Sequence, residues 1–182
     1  MTTAANPSQN PGLTEQPRSV AMSQPGDVEI RDVPFDCLDA RHLLALADEY
    51  NTLLYGHADE SPLDPEEFAP ESGGLFLIVY RGPRPIACGG FRLSHPPAPE
   101  GVAEVKRLYV VEDERRRGTA RRILSALEDL AKGYGYPTVI LDTGRKQNAA
   151  HRLYESCGYH QIPGFTVYRD VPGNRAYAKT LR

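Results

Sequence analysis

No apolar run in this chain approaches the length of a membrane span, so no segment of it reads as a transmembrane helix. Its first residues lack the basic stretch followed by an apolar one that would make a secretion signal. The three cysteines, Cys37, Cys88 and Cys157, are odd in number, far apart and without a Cys-x-x-Cys pair. That argues against a disulfide scaffold or a zinc site and leads us to expect a reducing, cytoplasmic setting. His42, His57, His95, His151 and His160 show no metal-ligand spacing with carboxylates on one helix face, so no metal is expected. A net charge of −3 and a pI near 6.0 provide no broad basic field, which excludes a nucleic-acid footprint. Gly-Lys-Ser/Thr is absent, which rules out a Walker P-loop, and so is Gly-x-Gly-x-x-Gly between a strand and a helix, the dinucleotide fingerprint.

What remains is one domain's worth of chain: 182 residues, 40% hydrophobic, enough for a real core. Residues 1–26 hold four prolines and only two charges, Glu15 and Arg18. They read as a disordered tail before a single domain at 27–182, with Met22 as a candidate internal start. Residues 28–33 alternate as a first strand stopped by Pro34. Asp36 is suited to cap a helix whose apolar set includes Leu38, His42, Ala45, Leu46 and Leu53. An acidic, proline-broken stretch at 55–70 contains a helix start at Asp64-Pro65-Glu66-Glu67. Strands follow at 75–80, 86–93 and 104–111, then a helix with apolar residues at Ala120, Ile123, Leu124, Leu127, Leu130 and Ala131. Residues 133–137 stop it; a buried strand at 138–142, a helix at 146–156 ending at Gly158, and strand-like stretches at 165–168 and 176–179 complete the chain. This order predicts an α/β fold: a mixed sheet with helices on both faces.

The segment Arg115-Arg116-Arg117-Gly118-Thr119-Ala120 joins the strand at 104–111 to the helix after it. A strand, a turn with one glycine and a helix start flanked by arginines together make an anion site. The first-turn N–H groups have no partners within the helix, and the helix dipole adds positive potential there. Gly118 presents no side chain to obstruct a phosphate. By composition alone, the five arginines of residues 115–122 also suit a solvated helix face.

Arg115, Gly118 and Ala120 fill the fixed positions of Arg/Gln-x-x-Gly-x-Gly/Ala, the pyrophosphate signature of the Gcn5-related N-acetyltransferases (GNAT). The strand Val105-Lys106-Arg107-Leu108-Tyr109-Val110 and the later Leu153-Tyr154-Glu155-Ser156-Cys157-Gly158-Tyr159 also resemble that family, so the likeness covers residues 74–160 well and the flanks loosely. It implies a mostly antiparallel mixed sheet whose fourth and fifth strands, in the family's numbering, splay apart to hold the cofactor. It implies acetyl-CoA as donor substrate, no metal, a small-molecule or peptide amine as acceptor, and direct transfer in a ternary complex. No nucleic acid or membrane partner is expected, and a homodimer is compatible with the family. The rival is a non-catalytic acyl-CoA-binding sensor, which needs the pyrophosphate turn but no catalytic pair.

The resemblance also assigns residues. Arg115, Arg116, Arg117, Gly118, Thr119, Ala120 and Arg121 take the pyrophosphate. Leu108, Tyr109 and Val110 pair with pantetheine through main chain, and Gln147 or Asn148 stands where the family has its pantetheine-binding asparagine. Glu104 shares strand parity with Leu108 and Val110 and is the expected base; otherwise it is a surface residue paired to Lys106. Tyr154 lies on a stripe with Ala150, Leu153 and Cys157, which by spacing makes it core and by resemblance the acid that protonates the leaving thiolate. The acceptor is not legible. Asp59, Glu60, Asp64, Glu66, Glu67 and Glu71 form either a solvated loop or a patch that attracts a cationic amine.

Overall fold

Apolar residues on both sides of the stretch 75–80 predict a strand covered from above and below, and in a computed structural model it lies inside a single eight-stranded sheet. The structure describes residues 19–20, 28–59 and 63–182. The strands are β1 (Ser19–Val20), β2 (Val28–Asp32), β3 (Leu75–Arg81), β4 (Arg84–Leu93), β5 (Ala103–Val110), β6 (Thr138–Thr143), β7 (His160–Ile162) and β8 (Arg175–Thr180). Their spatial order is β1-β2-β3-β4-β5-β6-β8-β7. Every neighbouring pair is antiparallel except β5 and β6. The helices are α1 (Leu38–Tyr55), α2 (Thr119–Gly133) and α3 (Asn148–Ser156).

α1 covers one face of the sheet, where Tyr80 donates to Asp39 at 2.7 Å and the Tyr109 ring lies tilted against Tyr50, centres 6.5 Å apart. α2 and α3 cover the other, joined by Arg121, which reaches Ser156 and Cys157 at the end of α3. In α2 the buried set is Thr119, Ile123, Leu124, Ala126, Leu127 and Ala131; four of these lie on the stripe expected from spacing, whose Ala120 and Leu130 are half-buried. Truncating a fully buried leucine such as Leu127 to alanine would cost about 2–5 kcal/mol. In α1 the expected phase is wrong. Ala40, Leu43 and Ala47 are buried, while Leu38 and Leu53 are 83% and 86% exposed. Small alanines carry the buried stripe here, so the larger leucines misled the periodicity. Cys37, not Asp36, is the N-cap of α1, with no side-chain cap bond. The helix start at Asp64 is a single 3-10 turn, Pro65–Phe68, with Asp64 capping it as expected.

Two irregularities in β5 shape the rest of the molecule. It pairs with β6 through only two rungs, Ala103↔Val139 and Glu104↔Ile140, after which the strands diverge. With β1 counted, these are the family's fourth and fifth strands. Against β4 its register shifts between Cys88 and Gly90, so that Arg107 and Leu108 together oppose Gly89, and Arg107 takes a left-handed φ of 57°. Leu108 fills the space a Gly89 side chain would need, against Leu127 of α2, while Arg107 turns to Asp48 of α1. Past the bulge, alternation is inverted. Glu104 and Lys106 share the α1 face with Arg107 and Tyr109, and Leu108 and Val110 lie on the opposite face.

Of the residues read as a tail, Ser19 and Val20 pair with Arg31 and Ile30 on the outer edge of β2; the rest of 1–26 lies outside the described residues. The stretch 165–168 is a turn, not a strand, and β7, a short strand at His160–Ile162, precedes it. Side-chain bonds hold that turn: Thr166 donates to Asp142 at 2.7 Å and Tyr168 to Asp59 at 2.9 Å. Among the described residues no helix is long and apolar enough to cross a membrane.

Candidate active site

The turn before α2 is held from below. Glu114, 4% exposed, accepts two bonds from Arg81, Nε at 3.0 Å and NH2 at 2.9 Å, which pulls its carboxyl below the usual range. From there the backbone passes through left-handed positions at Arg116 (φ 62°) and Gly118 (φ 82°) and enters α2. Gly118 is the N-cap and brings no capping side chain, so the first-turn N–H groups of Thr119, Ala120 and Arg121 meet no acceptor among the described residues. Apart from its neighbours along the chain, no atom of the described residues lies within 4 Å of where a Gly118 side chain would begin. The helix therefore opens its positive end onto free space.

The arginines around it differ. Arg115 is packed: its Nε donates to the Val110 carbonyl at 3.0 Å, and its guanidinium lies 4.4 Å from the Tyr50 ring centre. Arg116 lines the cleft from solvent, and Arg121 lines it while tying α2 to Ser156. The Arg117 side chain lies 3.7 Å from Glu114, and Arg117 is not among the residues lining the cleft. Thr119 is buried, with its hydroxyl 3.4 Å from the Glu114 carbonyl.

From this turn a cleft of about 1410 Å³ runs along the open edge of β5, past Leu108, Tyr109 and Val110, to Tyr154 of α3. Tyr154 is 6% exposed and packed against Tyr159 and Tyr177, with ring centres 5.8 Å away in each case. Burial, and then the nearby Asp142 carboxylate, push its phenol well above the usual range, so it stays protonated at neutral and mildly basic pH. Its hydroxyl has no hydrogen-bond partner among the described residues, although it is not sealed from the cleft. Gln147 is already committed: its amide accepts from Thr143 at 3.0 Å and donates to Asn51 of α1 at 3.2 Å. Asn148, the first residue of α3, is exposed on the cleft wall. Tyr55 closes α1 over the β6–α3 loop, accepting from Lys146 N at 3.1 Å where Gly144 leaves room for it.

Glu104 does not line this cleft. It sits on the last rung before the splay, 3% exposed, 3.0 Å from Arg92 and 3.1 Å from Lys106. It faces instead a smaller cavity of about 490 Å³ with Glu67, Arg92, Pro97 and Phe165. Lys106 borders both cavities, and 3.6 Å from it stands Asp142, which borders the cleft. Across the cleft, Arg107 holds Asp48 at 2.9 Å and Asp59 at 3.5 Å. Of the acidic residues expected in a loop, Glu67 is bound to Arg92 and His95, and Asp59 to Tyr168 and Arg107. Glu60 lies outside the described residues. Among the described residues no group of side chains could hold a metal ion.

Sequence reasoning missed Asp142, Thr166, Arg107 and the α1 residues Tyr50 and Asn51. Only Asp142 carried a signal: an acidic residue closing an apolar strand at its C-terminal end, where open α/β sheets bind ligands.

Comparison with known proteins agrees with this architecture. The model described as "Acetyltransferase (GNAT) family" matches residues 41–159. Human N-acetyltransferase 8 is 28% identical over 95 residues, 52% of this chain and 42% of that protein. IAA acetyltransferase of Azospirillum brasilense is 30% identical over 97 residues, 53% of this chain and 61% of that protein. The chain thus spans about half the length of these curated relatives. A Klebsiella pneumoniae protein provisionally assigned as an acyl-CoA N-acyltransferase superposes with a TM-score of 0.70 at 27% identity, over 85% of this chain and 98% of that one. A GNAT family acetyltransferase from Elizabethkingia anophelis, crystallised with acetyl-CoA bound, gives 0.60 at 16% identity, over 85% and 99% of the two chains.

Proposed function

The chain belongs to the GNAT family of acetyltransferases, and on that premise we propose that it moves an acetyl group from acetyl-CoA to a primary amine, by direct transfer with both substrates bound. One observation carries the reading. A single cleft joins a helix N-terminus with no capping side chain, at Gly118, to a buried, protonated phenol at Tyr154, and an unpaired strand edge runs between them. GNAT acetyltransferases use acetyl-CoA, and the cleft suits its three parts. The N–H groups of residues 116–121, with Arg116 and Arg121 beside them, are suited to the pyrophosphate. The free backbone of Leu108 to Val110 suits the amides of pantetheine, which would add to β5 as a strand would. With Gln147 committed to Thr143 and Asn51, Asn148 has the amide free for the same arm. At the far end, the Tyr154 hydroxyl would protonate the departing thiolate.

Glu104, expected as the base, is held by two cations at the closed end of the splay and is better suited to fixing Lys106 and Arg92 in place. The test is thiol release from acetyl-CoA against a panel of spermidine, tryptamine and glycylglycine. Amine-dependent release supports the proposal. Slow hydrolysis indifferent to amine would favour the acyl-CoA-binding sensor instead.

A further inference from the structure

An amine is protonated in neutral water, and it attacks a carbonyl only after losing a proton. Two carboxylates stand at the splay, Glu104 and Asp142. Glu104 precedes the opening, on the rung Glu104↔Ile140, and has Arg92 and Lys106 on its oxygens. Asp142 is two residues further along β6, where the strands have parted, and it borders the cleft at 9% exposure. One of its oxygens, Oδ2, accepts from Thr166 at 2.7 Å, which fixes the carboxylate plane. The other, Oδ1, pairs with Lys106 Nζ at 3.6 Å, an ion pair beyond hydrogen-bond range, so among the described residues no hydrogen bond occupies it.

Direction matters as much as distance. Leu141 pairs with Tyr177, which packs on Tyr154, so α3 lies on the face to which Leu141 points. Asp142, one residue on, points to the opposite face, toward Thr166, and lines the main cleft there. A thioester in the gap between β5 and β6 would have the phenol on one side and the carboxylate on the other. That is the arrangement needed when the nucleophile arrives from one side and sulfur leaves toward the other.

We propose that Asp142, and not Glu104, takes the proton that the acceptor's ammonium must lose; this rests on the acetyl-transfer reading above. The ammonium donates to Asp142 Oδ1 and passes one proton to it as nitrogen bonds to the thioester carbon. The carbonyl then re-forms, the C–S bond breaks with its electron pair going to sulfur, and sulfur takes the Tyr154 proton. The nitrogen loses its second proton to solvent, and Tyr154 regains one from Asp142 through solvent. Ammonium and thioester thus give amide, thiol and one free proton. The charged group beside Asp142 is Lys106 from β5, with Glu104 behind it; Tyr154 from α3 feels its charge from across the gap, and Arg107 and Asp59 stand on the opposite wall.

The experiment compares Asp142→Asn, Glu104→Gln and Thr166→Val for kcat/KM on the best amine of the panel between pH 6 and 10, with acetyl-CoA affinity measured by calorimetry. For Asp142→Asn we expect a loss of about 10²–10⁴-fold at neutral pH, the range of a single general base. Its acetyl-CoA affinity should stay within about twofold of wild type, below the tenfold that 1.4 kcal/mol represents. The deficit should shrink as pH rises toward the amine's own pKa, because free amine in solution no longer needs a base. Glu104→Gln should show no such recovery. Thr166→Val should lose several-fold while keeping the wild-type pH profile, and it decides the matter if Asp142→Asn does not fold. A near-wild-type Asp142→Asn, a deficit independent of pH, or an unaffected Thr166→Val would overturn the proposal. Recovery at high pH in Glu104→Gln would return the role to Glu104. A wild-type protein without amine-dependent release would instead overturn the acetyl-transfer reading itself.

Discussion

At the Gly118 end of the cleft the groups proposed to bind are backbone N–H donors from one stretch of chain, residues 116–121. At the Asp142 end they are side chains brought together from α1, β5, β6 and the turn at 165–168. The first end needs only a strand, a left-handed glycine and an uncapped helix start, and all three are local properties of sequence. The second depends on where distant segments meet: Arg107 on Asp48 and Asp59, Thr166 on Asp142, Tyr168 on Asp59. A backbone-built site recognises a constant group such as pyrophosphate and tolerates drift in its side chains. A site built from side chains can be respecified by single substitutions, which suits an end proposed to meet the acceptor.

Three experiments would sharpen or break that contrast, taken from the largest expected effect. Tyr154 lies where the two ends meet, and Tyr154→Phe keeps the ring and its packing while removing the hydroxyl. We expect kcat to fall about 10²–10⁴-fold, as for loss of a general acid, with acetyl-CoA binding nearly intact. Because burial raises this phenol, its acid form persists as pH rises, so wild-type kcat should show no alkaline fall attributable to it below the ordinary tyrosine range near 10. A change in kcat within twofold would make Tyr154 a core residue and dissolve the link between the ends.

Gly118→Val tests the donor end alone. A β-branched residue at φ 82° costs about 1–3 kcal/mol of backbone strain, or displaces the turn to relieve it. Its methyl groups would also enter the space open above the helix start. Acetyl-CoA should bind about tenfold to a hundredfold more weakly by calorimetry, with 1.4 kcal/mol per factor of ten, while circular dichroism reports an intact fold. Unchanged affinity would remove the anion cradle from the account.

The smallest effect is expected at the acceptor end. Tyr168→Phe removes the bond to Asp59 that ties the turn at 165–168 to the segment after α1. One hydrogen bond to a charged group contributes about 1.5–3 kcal/mol, part of which the loop recovers through water. The acceptor KM should rise several-fold while acetyl-CoA affinity stays put. A matching loss of acetyl-CoA affinity would show that the ends are coupled rather than separate modules.

The same contrast explains what could be read in advance. Strands at 75–80 and 86–93 and most of the α2 stripe follow from apolar spacing, and the turn proposed for the pyrophosphate from six consecutive residues. Parity failed at Glu104 because the bulge at Arg107 inserts one residue into β5, and a bulge leaves no mark in hydrophobic alternation. The β-formers at 165–168 became a turn because bonds to Asp142 and Asp59 outweigh propensity. Ala40 and Ala47 hid the phase of α1, since small buried residues add little to an amphipathic pattern.

The two-rung contact between β5 and β6 has a further consequence, for the protein without its donor. A sheet normally exposes unpaired backbone only at its outer strands, where charge, short length or cover blunts it. Here the unpaired edge is internal, along β5 beyond Glu104, and among the described residues Arg115 covers the Val110 carbonyl while Cys88 Sγ reaches the Arg107 carbonyl. Such a seam is a template for a foreign strand, and filling it is worth RT ln(1 + [L]/Kd) to the native state. The empty protein should therefore be the aggregation-prone form, and saturating donor should act on it as a folding aid, raising the melting temperature and suppressing self-association on heating.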